Sequence, residues 1–288
     1  WVRPPRPLCR CSAPALLTDA AIGRYDATRM YYRWTFMPAG KQRSRSLALI
    51  ASRGVHDYTD RDLYTFGVYT GESLKFWLER LAALGVTHGP MWGFDSYEGL
   101  PAEAEGKKLE SNAWLPGAFS AADQFDAKTF GEVLGAPSSA GPGLRPRPNP
   151  CPNPNPSHSP GPDPNQVKRR ILDHIGPAGA AQTQLIRGFF SESLTPSLAA
   201  SRGMKPALLV DVDVDLYISA YQCLDWMFTH RLIVPGTVVY YDDVEDVKAE
   251  DGGELAAHEE MTAKYNVHWR KVHDSCWECL SVGAYDLD

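Results

Sequence analysis

What this chain lacks narrows its class before any motif is read. No stretch of its 288 residues approaches the ~18 uncharged apolar residues of a membrane-spanning helix. Six cysteines are too few for a disulfide scaffold at this length. There is no basic excess: 29 Lys+Arg against 35 Asp+Glu give a formal net charge of −6. That balance excludes a nucleic-acid or membrane-surface binder as a reading of the whole chain. The glycine spacing of a dinucleotide-binding turn is missing, as is the lysine of a P-loop, and no internal repeat is found.

What is present is globular. Hydrophobic residues make up 43% and charged residues 22%, enough for one large α/β domain or two small ones. Charge is uneven, with 10 Lys+Arg and 4 Asp+Glu in residues 1–60. Arg3, Arg6 and Arg10 all precede the first acid, Asp19. Organelle transit peptides share that bias, but a disordered extension is the simpler expectation and the cytoplasm the favoured compartment. Residues 1–40 therefore read as an N-terminal arm and 41–288 as a single domain. The aromatic group Tyr31, Tyr32, Trp34, Phe36 and Met37 reads as docking the arm onto that domain.

Segment 136–165 interrupts the domain. It holds 11 of the 23 prolines and almost no core-forming residue, so it reads as a disordered insertion. Around it the pattern alternates between strand and helix. Strands are expected at 63–68, 91–94, 184–186, 207–214, 237–241, 267–272 and 279–284. Helices are expected at 72–84, 217–228 and 254–265. The run Ala207–Val214 opens as a continuous apolar stretch, the mark of a strand covered on both faces. The expected fold is a doubly wound, mostly parallel seven-stranded α/β sheet closed by an antiparallel C-terminal hairpin.

In such sheets ligands sit beyond the carboxyl ends of the strands. The turn after the first strand, Gly67-Val-Tyr69-Thr-Gly71-Glu-Ser73, lets backbone approach a ligand and leads into a helix N-terminus. An ordinary strand-to-helix turn would look the same. Asp95 ends the second strand and could accept hydrogen bonds from ribose hydroxyls, or cap the turn that follows. The strongest constellation is Asp211, Asp213 and Asp215 with Asp242 and Asp243. If the strand persisted, the first three would share one face. Two carboxylates ~4 Å apart repel by about 4 kcal/mol at an effective dielectric of 20. A divalent cation is the natural remedy, and oxygen-only ligands point to Mg²⁺. Solvated turn acids are the plainer alternative. Cys276-x-x-Cys279 with His268 and His273 is weak evidence for zinc. His258 and Glu259 read as a solvated helix face.

Taken in order, GVYTGES (67–73), GFDSYEGLP (93–101), IRGFFSESL (186–194), LVDVDVDLY (209–217) and VPGTVVYYDD (234–243) resemble the motifs of the macrocin O-methyltransferase family. The resemblance spans about residues 60–272. It implies a class I fold and Mg²⁺-dependent transfer of a methyl group from S-adenosylmethionine to a hydroxyl of a small molecule, of sugar or vicinal-diol type. By the same resemblance Gly67, Tyr69, Gly71 and Ser73 border the methionine part of the cofactor. Asp95 would hold its ribose, Ser96 and Tyr97 its nucleoside, and Gly188 and Phe189 its adenine. Asp213, Asp242 and Asp243 would bind the metal. Asp213, supported by Asp215, would be the general base. The family commonly has an acid two residues before the first glycine; Thr65 stands there. The alternatives are a methyltransferase with another acceptor atom, or a catalytically idle nucleotide-binding or interaction protein. Neither nucleic acid nor membrane is an expected partner, and a homo-oligomer is compatible with the sequence.

Overall fold

A computed structural model describes residues 38–107, 114–121, 164–244 and 252–285. Cys9, Cys11, the aromatic group at 31–37 and segment 136–163 lie outside these residues.

The strands are β1 (Asp57–Tyr58), β2 (Asp62–Phe66), β3 (Thr87–His88), β4 (Met91–Asp95), β5 (Thr183–Arg187), β6 (Ala207–Val212), β7 (Val238–Tyr241), β8 (Val267–His273) and β9 (Cys276–Val282). The helices are α1 (Pro38–Ser52), α2 (Glu72–Ala83), α3 (Pro164–Gln182), α4 (Phe190–Ser193), α5 (Leu198–Arg202), α6 (Tyr217–Thr229) and α7 (Gly253–Tyr265). Seven strands form one sheet in the order β5-β4-β2-β6-β7-β9-β8, while β1 and β3 pair separately. All neighbours in the large sheet are parallel except β9, which runs antiparallel to both β7 and β8. The expected doubly wound sheet with its antiparallel hairpin is therefore the observed one.

Two apolar layers cover the sheet, and strand alternation decides which residues enter each. Leu63, Met91, Leu209, Val238 and Tyr240 face α1, α2 and α3 through Leu47, Ile50, Leu74, Trp77, Leu81, Ile171 and Ile175. Tyr64, Phe66, Phe94, Val210, Val212 and Tyr241 face α6 and α7 through Ala220, Leu224, Met227, Ala257 and Met261. The helix period at Leu74, Trp77, Leu78 and Leu81 is borne out, since all four are buried. Burying each is worth about 2 kcal/mol by area.

Some expectations change. Strand β6 stops at Val212, and Asp215 takes a left-handed backbone with φ 59°. The three aspartates therefore do not continue one strand face. Asp211 points beneath α2, where Trp77 Nε1 donates to its Oδ2 at 2.8 Å. Helix α3 starts at Pro164, so the last two residues of the proline-rich segment are helical, and the helix breaks at Gly176 before Pro177. His258 is buried rather than solvated, with Nδ1 2.9 Å from the Tyr241 hydroxyl. Burial lowers its pKa to about 4. Cys276 and Cys279 are buried free thiols pushed up to about 12 by burial, which suits packing rather than zinc ligation. Thr65 is fully buried and its hydroxyl meets the Met91 sulfur at 3.6 Å.

Candidate active site

The carboxyl ends of β2, β4, β5, β6 and β7 open on one cavity of about 520 Å³. Its floor extends the sheet ladder by one residue at each strand. The Gly67 N–H donates to Phe94 O at 3.0 Å, Asp213 N–H to Phe66 O at 2.9 Å, Asp242 N–H to Val212 O at 3.1 Å and Gly188 N–H to Asp95 O at 3.0 Å. These bonds fix the loop starts relative to one another, although the loops are remote in sequence.

Gly67 has no substitute here. Its φ is 85°, and a Cβ would lie 1.7 Å from the Asp213 carbonyl oxygen. Gly71, φ 91°, begins α2 and packs against Ile171. Between them the turn is gripped by Asp95. Its Oδ2 accepts from the N–H groups of Val68 at 2.8 Å and Tyr69 at 2.7 Å, and its Oδ1 from Tyr97 N–H at 2.6 Å. Burial raises the Asp95 pKa, and these three donors pull against it. Asp95 thus clamps the turn as well as facing the cavity. The left-handed backbone of Tyr69, Phe119 and Asp215 gathers on the same wall, where strain of this kind commonly marks ligand sites.

Of the residues singled out from sequence, Gly67, Tyr69, Asp95, Ser96, Gly188, Phe189, Asp213, Asp215, Asp242 and Asp243 all line this cavity. Gly71, Ser73 and Tyr97 do not. Ser73 is buried in the first turn of α2, and Tyr97 is buried with its backbone bonded to Asp95. Leu100, Pro101, Trp114, Phe119 and Phe190 complete an apolar side of the wall; none was singled out as a site residue from the sequence, although Leu100, Pro101 and Phe190 fall inside the 93–101 and 186–194 motifs.

The acidic side is heavily perturbed. Burial and then Asp242 raise the Asp213 pKa well above the usual range, while Arg43 opposes the rise. Asp215 is pushed up to about 8 by burial and then by Asp243. Glu254, beneath them, is raised by burial and by Asp243, although Val214 N–H donates to it at 2.8 Å. Asp211 reaches about 6 through burial, with Arg43 and the Trp77 N–H opposing. Asp213 and Asp215, with Asp242 and Asp243, line the cavity, and perturbed carboxylates in a cleft are characteristic of functional sites.

Sequence reasoning missed Arg43. It comes from α1, and its Nη2 lies 2.9 Å from Asp213 Oδ2 and 3.1 Å from Asp242 Oδ1. Its Nε is 3.7 Å from Asp211 Oδ1. Burial works against the charged guanidinium, but the three carboxylates outweigh it and its pKa is raised. No local signal could have found a residue 170 positions from its partner. As for a metal, the donors Asp213, Asp242 and Asp243 are all carboxylates and chemically suit a hard divalent cation. Among the described residues no group of three or more ligand side chains converges as a metal centre.

No protein-family model matches the chain, and no curated protein sequence matches it. Among solved structures, the O-methyltransferase NovP is 16% identical, with 84% of this chain and 79% of NovP covered and a TM-score of 0.48. CalS11, a calicheamicin methyltransferase, is 15% identical, with 91% of this chain and 88% of CalS11 covered and a TM-score of 0.51. The likeness to CalS11 shows the fold: this chain, like CalS11, is an α/β protein, here with a mostly parallel seven-stranded sheet and antiparallel C-terminal strands.

Proposed function

We propose that the protein is an S-adenosylmethionine-dependent O-methyltransferase of the macrocin type, acting with Mg²⁺ on a small hydroxylated molecule such as a sugar or vicinal diol. One observation carries this reading. The glycine turn, the Asp95 clamp, the Gly188–Phe189 loop and four aspartates from two strand ends share a single cavity. CalS11, a methyltransferase, has a similar fold, which supports the assignment.

Gly67 and Tyr69 would border the methionine end of the cofactor, and Asp95 its ribose, with Ser96, Gly188 and Phe189 around the nucleoside. Asp213, Asp242 and Asp243 would hold Mg²⁺. When bound, S-adenosylmethionine would supply an activated methyl group and Mg²⁺ would acidify and orient the acceptor hydroxyl. The chain's own work is positioning and proton removal. The ladder bonds between strand ends fix the turn against the aspartates. Leu100, Pro101 and Phe190 exclude water from one side. Asp213, held through one oxygen by Arg43, accepts the hydroxyl proton, with Asp215 beside it on the same wall.

A methyl-donor assay across sugar, phenolic and catechol acceptors, with Mg²⁺ or EDTA, tests the proposal. Turnover that EDTA abolishes is the expected result. Turnover that EDTA leaves unchanged would remove the metal from the mechanism while keeping methyl transfer. Calorimetry should detect S-adenosylmethionine and its demethylated product; heat only with NAD would redirect the assignment. A second reading, a nucleotide binder without turnover, draws on Arg43 already pairing with Asp213 and Asp242. It predicts cofactor binding with every acceptor inert.

A further inference from the structure

The most unexpected feature of the acidic edge is where its cation comes from. One nitrogen, Arg43 Nη2, bonds carboxylates from two different strand ends, Asp213 after β6 and Asp242 after β7. A cation shared between those two loops would sit in just such a bridging place. The guanidinium is a fixed part of the fold. Arg43 is 8% exposed, and its guanidinium carbon lies 5.1 Å from the centre of the Tyr240 ring. The Tyr240 hydroxyl donates to Asp242 Oδ1 at 3.0 Å, the same oxygen that Arg43 meets. Beyond Arg43, the rest of α1 and the residue that follows it are tied down. Leu47 and Ile50 enter the core, Ser46 Oγ lies 3.0 Å from His273 Nε2, and Arg53 bonds Glu278 and the Gly236 carbonyl at 2.8 Å each.

We propose that Arg43 is a positioning residue that sets, by competition, how weakly Asp213 and Asp242 hold a divalent cation. This rests on the carboxylate edge being the metal-holding part of the proposed site. Each carboxylate has one oxygen committed to the guanidinium. An incoming ion must accept the remaining oxygens beside a fixed positive charge, or displace a side chain whose other partner, Asp211, is fully buried. Both routes cost affinity, because like charges repel strongly in a partly desolvated site and an orphaned buried carboxylate is expensive. The arrangement also explains how these aspartates tolerate each other without a metal: the chain supplies its own counter-charge.

The probe is Mn²⁺, titrated into the cofactor-free full-length chain and followed by the electron paramagnetic resonance signal of the free ion. Arg43→Gln alone strands Asp211, so it is paired with Asp211→Asn, whose amide oxygen still accepts from Trp77. The double variant is expected to bind Mn²⁺ at least tenfold tighter than the unaltered protein. Arg43→Lys, which keeps the charge, is expected to stay within about threefold of it. Equal or weaker binding by the double variant overturns the proposal and leaves the metal reading standing. So does a tenfold gain in Arg43→Lys, since charge would then not be the cause. Absence of Mn²⁺ binding at millimolar concentration in every protein overturns this proposal and the metal reading together. S-adenosylmethionine calorimetry on the same samples then reports separately on the methyltransferase assignment.

Discussion

Gly67 is the residue at which sequence, backbone and site meet most tightly. Any side chain there adds strain at φ 85° and drives an atom into the Asp213 carbonyl. Gly67→Ala is expected to lower unfolding free energy by about 2–4 kcal/mol and to abolish S-adenosylmethionine binding, read by urea denaturation and calorimetry. Asp213→Asn should behave differently. Asparagine keeps the shape and one acceptor oxygen but cannot take a proton. Turnover is expected to fall by about 10²–10⁴-fold while cofactor affinity changes by no more than a few-fold. A parallel loss of both in calorimetry and rate assays would make Asp213 a structural residue instead. Asp95 is harder to separate into roles, because the carboxylate that would face the ribose also holds the turn through Val68, Tyr69 and Tyr97.

The acid-bearing loops are held by the helices that follow them. Helix α6 begins two residues after Asp215, and its first N–H groups are capped from a distance. Glu103 Oε2 accepts from Tyr217 N–H at 2.9 Å and Oε1 from Ile218 N–H at 3.0 Å. This carboxylate stands 114 residues away yet serves as an N-terminal cap and favours the helix dipole. Glu103→Ala is expected to cost about 1 kcal/mol in denaturant unfolding and to raise mobility at Asp215, seen as faster amide exchange at Tyr217 and Ile218. No local pattern announces such a cap, and the same limit explains what was legible in the sequence. Buried strands and the helix at Leu74–Leu81 show in periodicity because burial repeats every two or 3.6 residues. Gly67, Asp95, Asp213 and Asp242 show because strand ends locate ligands. Helix α1 does not show: basic residues fill its first half, and Leu47 and Ile50 give too short a stripe. Its value lies in Arg43, whose partners are brought near only by the sheet order.

For the molecule as a whole, these aspartates tie stability to pH. Asp215 titrates near 8 because of burial and Asp243, against an ordinary value of 3.8. A carboxyl with a raised pKa holds its proton more tightly folded than unfolded. Its stabilising contribution is complete below about pH 4 and lost as pH rises through about 8. Asp211, near 6, loses its share earlier. Asp215→Asn removes the first dependence without changing the shape of the side chain. Near pH 3.5 Asp215 is protonated in the folded and largely in the unfolded protein, so the variant and the unaltered protein should melt within about 1 °C of each other. By pH 8.5 the unaltered protein has had to ionise Asp215 beside Asp243, and the variant should melt at least about 3 °C higher. The measurement is calorimetric melting of cofactor-free protein in EDTA across that range, because a divalent ion would neutralise the same carboxylates and flatten the difference. A gap of constant size from about pH 3.5 to 8.5 would mean that Asp215 does not carry the proton its surroundings demand.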